Sequence, residues 1–82
     1  MDVQHLIGMA NQIGQFFSVY PDPVEARESI ATHIKKFWAP PMRQAMLDAL
    51  ATPQADALMP LVHEALTQHA AELRPSASSL AR

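Results

Sequence analysis

"HIKKFWAPPMRQAM", His33 to Met46, decides how this chain folds. Apolar side chains recur at helical spacing on both sides of the Pro40-Pro41 pair. Neither proline can supply an amide hydrogen to a helical ladder, and the residue before a proline is pushed towards extended backbone. The stretch therefore reads as a helix end, a rigid bend, and a new helix that Pro41 can open. It also holds the single tryptophan, Trp38, and three of the six cationic side chains, Lys35, Lys36 and Arg43.

The helical period continues outward from this bend. Upstream, Ala26, Ile30, Ile34, Phe37 and Trp38 share one side of a helix running to about Trp38, with Glu25, Glu28, Lys35 and Lys36 on the other. Asp22 is its cap, Pro23 suits its first position, and Glu25 stands where a capping box wants it. Arg27 projects near the middle of the apolar arc. A snorkelling guanidinium accounts for it, as would an ion pair with a carboxylate on a partner. Downstream, Met42, Met46, Ala49 and Leu50 form the apolar side of a short third helix ending near Ala51. Thr52 and Pro53 can start a single turn. A fourth helix runs from Pro60 to about Leu73, with Val62, Leu66, His69 and Leu73 aligned.

The first helix, Val3 to about Ser18 with Asp2 as its cap, repeats Val3, Leu6, Ile7, Ala10, Ile13 and Phe17 on one face. Met9, Phe16 and Tyr20 widen that stripe to about half the helix circumference. From Val3 through Pro21 there is no Asp, Glu, Lys or Arg. The polar positions are neutral: Gln4, His5, Asn11, Gln12, Gln15 and Ser18. Charge depletion marks the cores of interfaces, so this helix is either well covered inside its own bundle or buried by a partner. The expected architecture is all-α: a small irregular bundle of three longer helices plus one short helix. Residues 1–74 form a single helical domain and 75–82 a disordered tail without periodicity.

Composition removes most function classes. Eighty-two residues make one small domain, without a cysteine for a disulfide or a zinc site. A net charge of −2 has the wrong sign for nucleic acid, and the third helix is too apolar to read bases. No run of apolar residues is long enough to span a membrane, and no basic segment resembles a signal peptide. In "HEALTQH", His63 and His69 lie about 240° apart on a helix and cannot grip one ion. Serines are either in the tail or without a neighbouring base, and Gly8 and Gly14 sit inside a helix rather than in a phosphate-cradling turn. No catalytic, cofactor-binding or metal-ligating residue is expected. What remains is adhesion. A prolyl bend that holds Trp38 near Met42 and Arg43 could be a preformed docking corner, since Trp, Arg and Met are enriched at interfaces.

Two stretches and a third, shorter one resemble a known family. They are Met9-Ala10-Asn11-Gln12-Ile13 followed by Phe16-Phe17, then His33-Ile34, Lys36-Phe37-Trp38, Pro40 and Met42-Arg43, and finally Pro60-Leu61-Val62 with Ala65-Leu66. Their order and spacing are similar to those of the delta subunit of soluble NAD-dependent, molybdenum-containing formate dehydrogenases. The resemblance departs at Gly8, Ala39 and Pro41, where a basic residue, an Asp and a basic residue are expected. It implies a cytoplasmic, cofactor-free accessory subunit that supports assembly or stability of the enzyme. The partner it implies is the large catalytic subunit. Molybdopterin guanine dinucleotide and iron–sulfur clusters would sit there, with FMN and NAD on other subunits. The residues expected at the partner interface are Met9, Asn11, Gln12, Phe16, Arg27, Trp38, Met42 and Arg43. The alternative from another class is a stand-alone homodimeric helical protein with an interaction or regulatory role.

Overall fold

Four of the seven prolines, Pro23, Pro40, Pro53 and Pro60, stand at the first position of a helical element and set the order of the chain. A proline there wastes no hydrogen bond, because the first amides of a helix have no partner within it. The structure, a computed structural model, describes residues 2–75. They form α1 (Val3–Phe17), α2 (Pro23–Phe37), α3 (Pro40–Ala49), a 3-10 turn (Pro53–Ala57), α4 (Pro60–Gln68) and α5 (Ala70–Leu73). No strand occurs among the described residues, so the all-α bundle predicted from periodicity is what forms.

The caps are those the sequence names. Asp2 Oδ1 accepts from the Gln4 amide at 3.0 Å, and Asp22 Oδ1 accepts from the Val24 amide at 2.9 Å. Thr52 Oγ1 accepts from the Gln54 amide at 3.3 Å and begins the 3-10 turn. Such caps satisfy donors that the first helical turn leaves open. At the prolyl bend, Trp38 leaves the helix for extended backbone (φ −91°, ψ 134°), and Ala39 stays extended ahead of Pro40. Pro40, rather than Pro41, opens α3.

Two expectations change in the C-terminal half. The helix read as continuous to Leu73 breaks at His69 (φ −106°, ψ 17°), leaving α4 and a single-turn α5. The His69 carbonyl accepts from both the Glu72 and Leu73 amides at 3.0 Å, and Leu73 ends 1% exposed in the core. Val62, Leu66, His69 and Leu73 keep helical spacing across the break, which is why spacing could not reveal it. Pro75, expected to begin the tail, is buried with the domain. The remainder of that expected tail, 76–82, lies outside the described residues.

The core is built from Ile30 and Ile34 of α2, Met46 of α3, Val62 and Leu66 of α4 and Leu73 of α5, all at most 1% exposed. Burying each side chain of this size contributes about 1.5–3 kcal/mol. α2 packs on α4, α1 and α5, while α1 also reaches α3, α4 and the 3-10 turn. α1 and α4 approach closely at Gly14. A Cβ added at Gly14 would collide with Val62 Cγ2 and stand 3.3 Å from Met59 Sδ, so only glycine allows this approach. No helix among the described residues is long and apolar enough to cross a membrane.

Candidate functional site

The end of α1 and the second half of α2 meet in a chain of aromatic rings. Phe17 is its centre: it stands edge-on to Phe16 at 5.0 Å, to Tyr20 at 5.6 Å and to His33 at 6.1 Å between ring centroids. His33 then tilts against Phe37 at 4.7 Å. Edge-to-face geometry sets the positive rim of one ring against the negative face of the next. Despite this mutual packing, Phe16 and Phe37 are each 71% exposed. Val19 and Val24, in and just after the loop between the two helices, are exposed as well.

Beside this ridge lies an open groove of about 480 Å³, with Met9, Gln12, Ile13, Phe16 and Phe17 from α1 on one wall. His33, Phe37, Trp38 and Met42, from α2, the bend and α3, form the other. No Asp, Glu, Lys or Arg lines it. The charge-free run of the first helix thus continues across the groove floor onto the next two elements. Apolar surface of this kind, left open and rimmed by neutral polar groups, is the usual mark of a binding face.

The residues predicted for a partner interface fall into two sets. Met9, Gln12, Phe16 and Met42 line the groove, and Gln12 and Phe16 are exposed. The other four already have work inside the fold. Trp38 borders the groove but is only 5% exposed and belongs to the core cluster. The Arg43 Nε–H donates to the Leu73 carbonyl at 2.9 Å, and its Nη1 donates to the carbonyls of Trp38 at 3.1 Å and Lys35 at 3.2 Å. Those carbonyls lie at the ends of α2 and α5, where the helical ladder no longer brings an amide, so the guanidinium supplies the missing donors. Asn11 donates from Nδ2 to the Ala57 carbonyl at 3.0 Å and accepts at Oδ1 from the Met59 amide at 2.9 Å. It ties α1 to the link between the 3-10 turn and α4. Arg27 bonds Gln68 Oε1 at 3.1 Å and pairs with Glu64 Oε1 at 3.3 Å, a carboxylate of α4 rather than of another chain.

Ile13, Phe17, His33 and Phe37 also line the groove, although they are not among the residues expected at a partner interface. Phe37 stands about 20° from Ile30 around the helix axis, which places both on the apolar arc. Ile30 is fully buried and Phe37 is 71% exposed. The difference lies in what stands opposite each residue, and one helix considered alone carries no signal of that. Chemically the surface offers area and shape. Among the described residues no polar or charged residue is buried, and no three His, Asp or Glu side chains gather where they could hold a metal ion.

The profile of the FdsD family, the NADH-dependent formate dehydrogenase delta subunit, matches residues 5–66 of the chain. The chain belongs to that family. The matched span runs from the start of α1 through Leu66 of α4, and it contains the whole groove and every predicted interface residue of this delta-subunit family member. Neither a curated protein nor a solved structure matches it.

Proposed function

We propose that this chain is a non-catalytic accessory subunit of a cytoplasmic NAD-dependent formate dehydrogenase, and that it binds the large, molybdenum-bearing catalytic subunit. Its role is to support assembly or stability of the cofactor-loaded enzyme. The cofactors then belong to the partner subunits: molybdopterin guanine dinucleotide and iron–sulfur clusters in the catalytic subunit, FMN elsewhere. The observation that carries the reading is the charge-free groove bordered by exposed Phe16 and Phe37, inside the segment that matches the delta-subunit family. Covering such a surface removes apolar area from water without stripping a charge of its hydration. Little ordering is needed beforehand, because Trp38 and Arg43 already hold the bend.

The test is to produce the enzyme with and without this chain and measure its native mass, molybdenum content and formate oxidation. The proposal expects a complex heavier by one or more copies of a 9.0 kDa chain, and molybdenum content or thermal half-life that drops without it. Equal mass, metal content and half-life in both preparations would remove the accessory role.

A further inference from the structure

A second depression adjoins the groove, and the two differ in charge. Phe17, His33 and Phe37 line both and form the wall between them. The second depression, about 380 Å³, runs along the outer side of α2 past Glu25, Glu28 and Lys36. Among the described residues the ion pairs are Arg27–Glu64 and His69–Glu72, so none of these three charges has a partner. Glu25 complements the helix N-terminus, but Glu28 lies beyond the first turn and has no such role. The groove and the depression meet over the Phe17–His33–Phe37 wall, with an apolar, charge-free region at Phe16 and Met42 on one side of it and an acidic region at Glu25 and Glu28, round the outer side of α2, on the other.

We infer that this face receives an amphipathic helix of the partner subunit that bears aliphatic or aromatic anchors and, farther along the same side, a lysine or arginine. The inference rests on the docking reading above and adds the chemistry of the occupant. A helix laid in a groove is the recognition mode that suits open, apolar walls. Met9 and Met42 give those walls flexible thioethers that adapt to an incoming side chain. From Glu28 to Phe37 is nine residues of α2, about 13 Å along its axis. On the incoming helix positions seven apart share a face and span about 10.5 Å, and the long side chain of a lysine or arginine covers the roughly 3 Å that remain. The cation then reaches Glu25 and Glu28 while the anchors lie against Phe16 and Phe37. Lys36, one residue from Phe37 in the last turn of α2, is the like charge that disfavours the reversed helix.

The test measures binding of the full-length chain to the purified formate dehydrogenase lacking it, at low and high salt, with thermal melts confirming that each variant folds. Replacing Glu25→Lys and Glu28→Lys together should weaken binding about tenfold at low salt and abolish its decline with added salt. Glu25→Gln with Glu28→Gln, which removes charge without reversing it, should give a smaller loss in the same direction. Lys36→Glu should tighten binding severalfold at low salt. If Phe16→Ala with Phe37→Ala releases the chain but the glutamate variants bind within twofold of the parent at both salts, the cationic helix is wrong and the docking surface stands. The same holds if Lys36→Glu weakens binding, since the facing charge would then be acidic. If the phenylalanine pair also binds normally, the docking surface itself is wrong. An isolated chain with twice its 9.0 kDa mass, dissociated by the phenylalanine pair, would give the face to a second copy and overturn the inference.

Discussion

α1 is closed on one side and open on the other. Towards α4 it approaches so near that Gly14 has no room for a Cβ, and Asn11 spends both ends of its amide on Ala57 and Met59. Towards the α2–α3 bend it leaves Phe16 mostly in solvent beside an unfilled groove. Both sides are apolar and neither carries a charge. The difference teaches that the missing charges of this helix have two separate causes. On the closed side they would be buried by the chain itself. On the open side nothing in the chain excludes them, and a partner does under the reading proposed here. Substitutions along α1 should therefore separate into those that cost folding and those that cost binding.

The largest expected effect is on the closed side. Gly14→Ala should destabilise the isolated chain by about 1–3 kcal/mol, because Val62 is a β-branched residue held by the core and has no rotamer to retreat into. For a domain of this size each kcal/mol corresponds to about 4–8 °C in melting temperature, which circular dichroism can read. Asn11→Ala should cost about 1–2 kcal/mol by leaving the Met59 amide and the Ala57 carbonyl without their partner. The other glycine sharpens the contrast by changing sign. A Cβ at Gly8 meets nothing within 4 Å, so Gly8→Ala should stabilise the isolated chain by about 0.5–1 kcal/mol through helix propensity alone. The smallest effect belongs to the open side. Phe16→Ala and Phe37→Ala should each move stability by no more than about 0.5 kcal/mol, since neither ring is enclosed.

These contrasts also show how far the sequence could be read. The starts of these elements were legible because their chemistry is local: Asp2, Asp22 and Thr52 each accept from the amide two positions on, and Pro23, Pro53 and Pro60 fix the backbone of a first helical turn. The end of α4 was not, since His69 is neither glycine nor proline and the apolar period runs straight through the break. At the bend, the residue types that mark an interface were recognised, but Trp38 and Arg43 are engaged within the chain. Arg43 reaches Leu73, thirty residues away, and a carbonyl acceptor leaves no trace in residue identity. Asn11 shows the same limit across 46 and 48 residues. Met9, Gln12, Phe16 and Met42 do share the groove, because the wide, charge-free stripe of α1 is a property of one helix and can be seen in one helix. Phe37 joins them only when the opposing elements are known.

The central claim is that the open side of α1 is held for a partner. It is tested most directly by one paired experiment on Phe16→Ala with Phe37→Ala: thermal unfolding of the isolated chain, and its co-purification with the formate dehydrogenase catalytic subunit. The account predicts a melting temperature close to that of the parent chain together with loss of the chain from the purified complex. Full-strength co-purification of a well-folded double variant would contradict it.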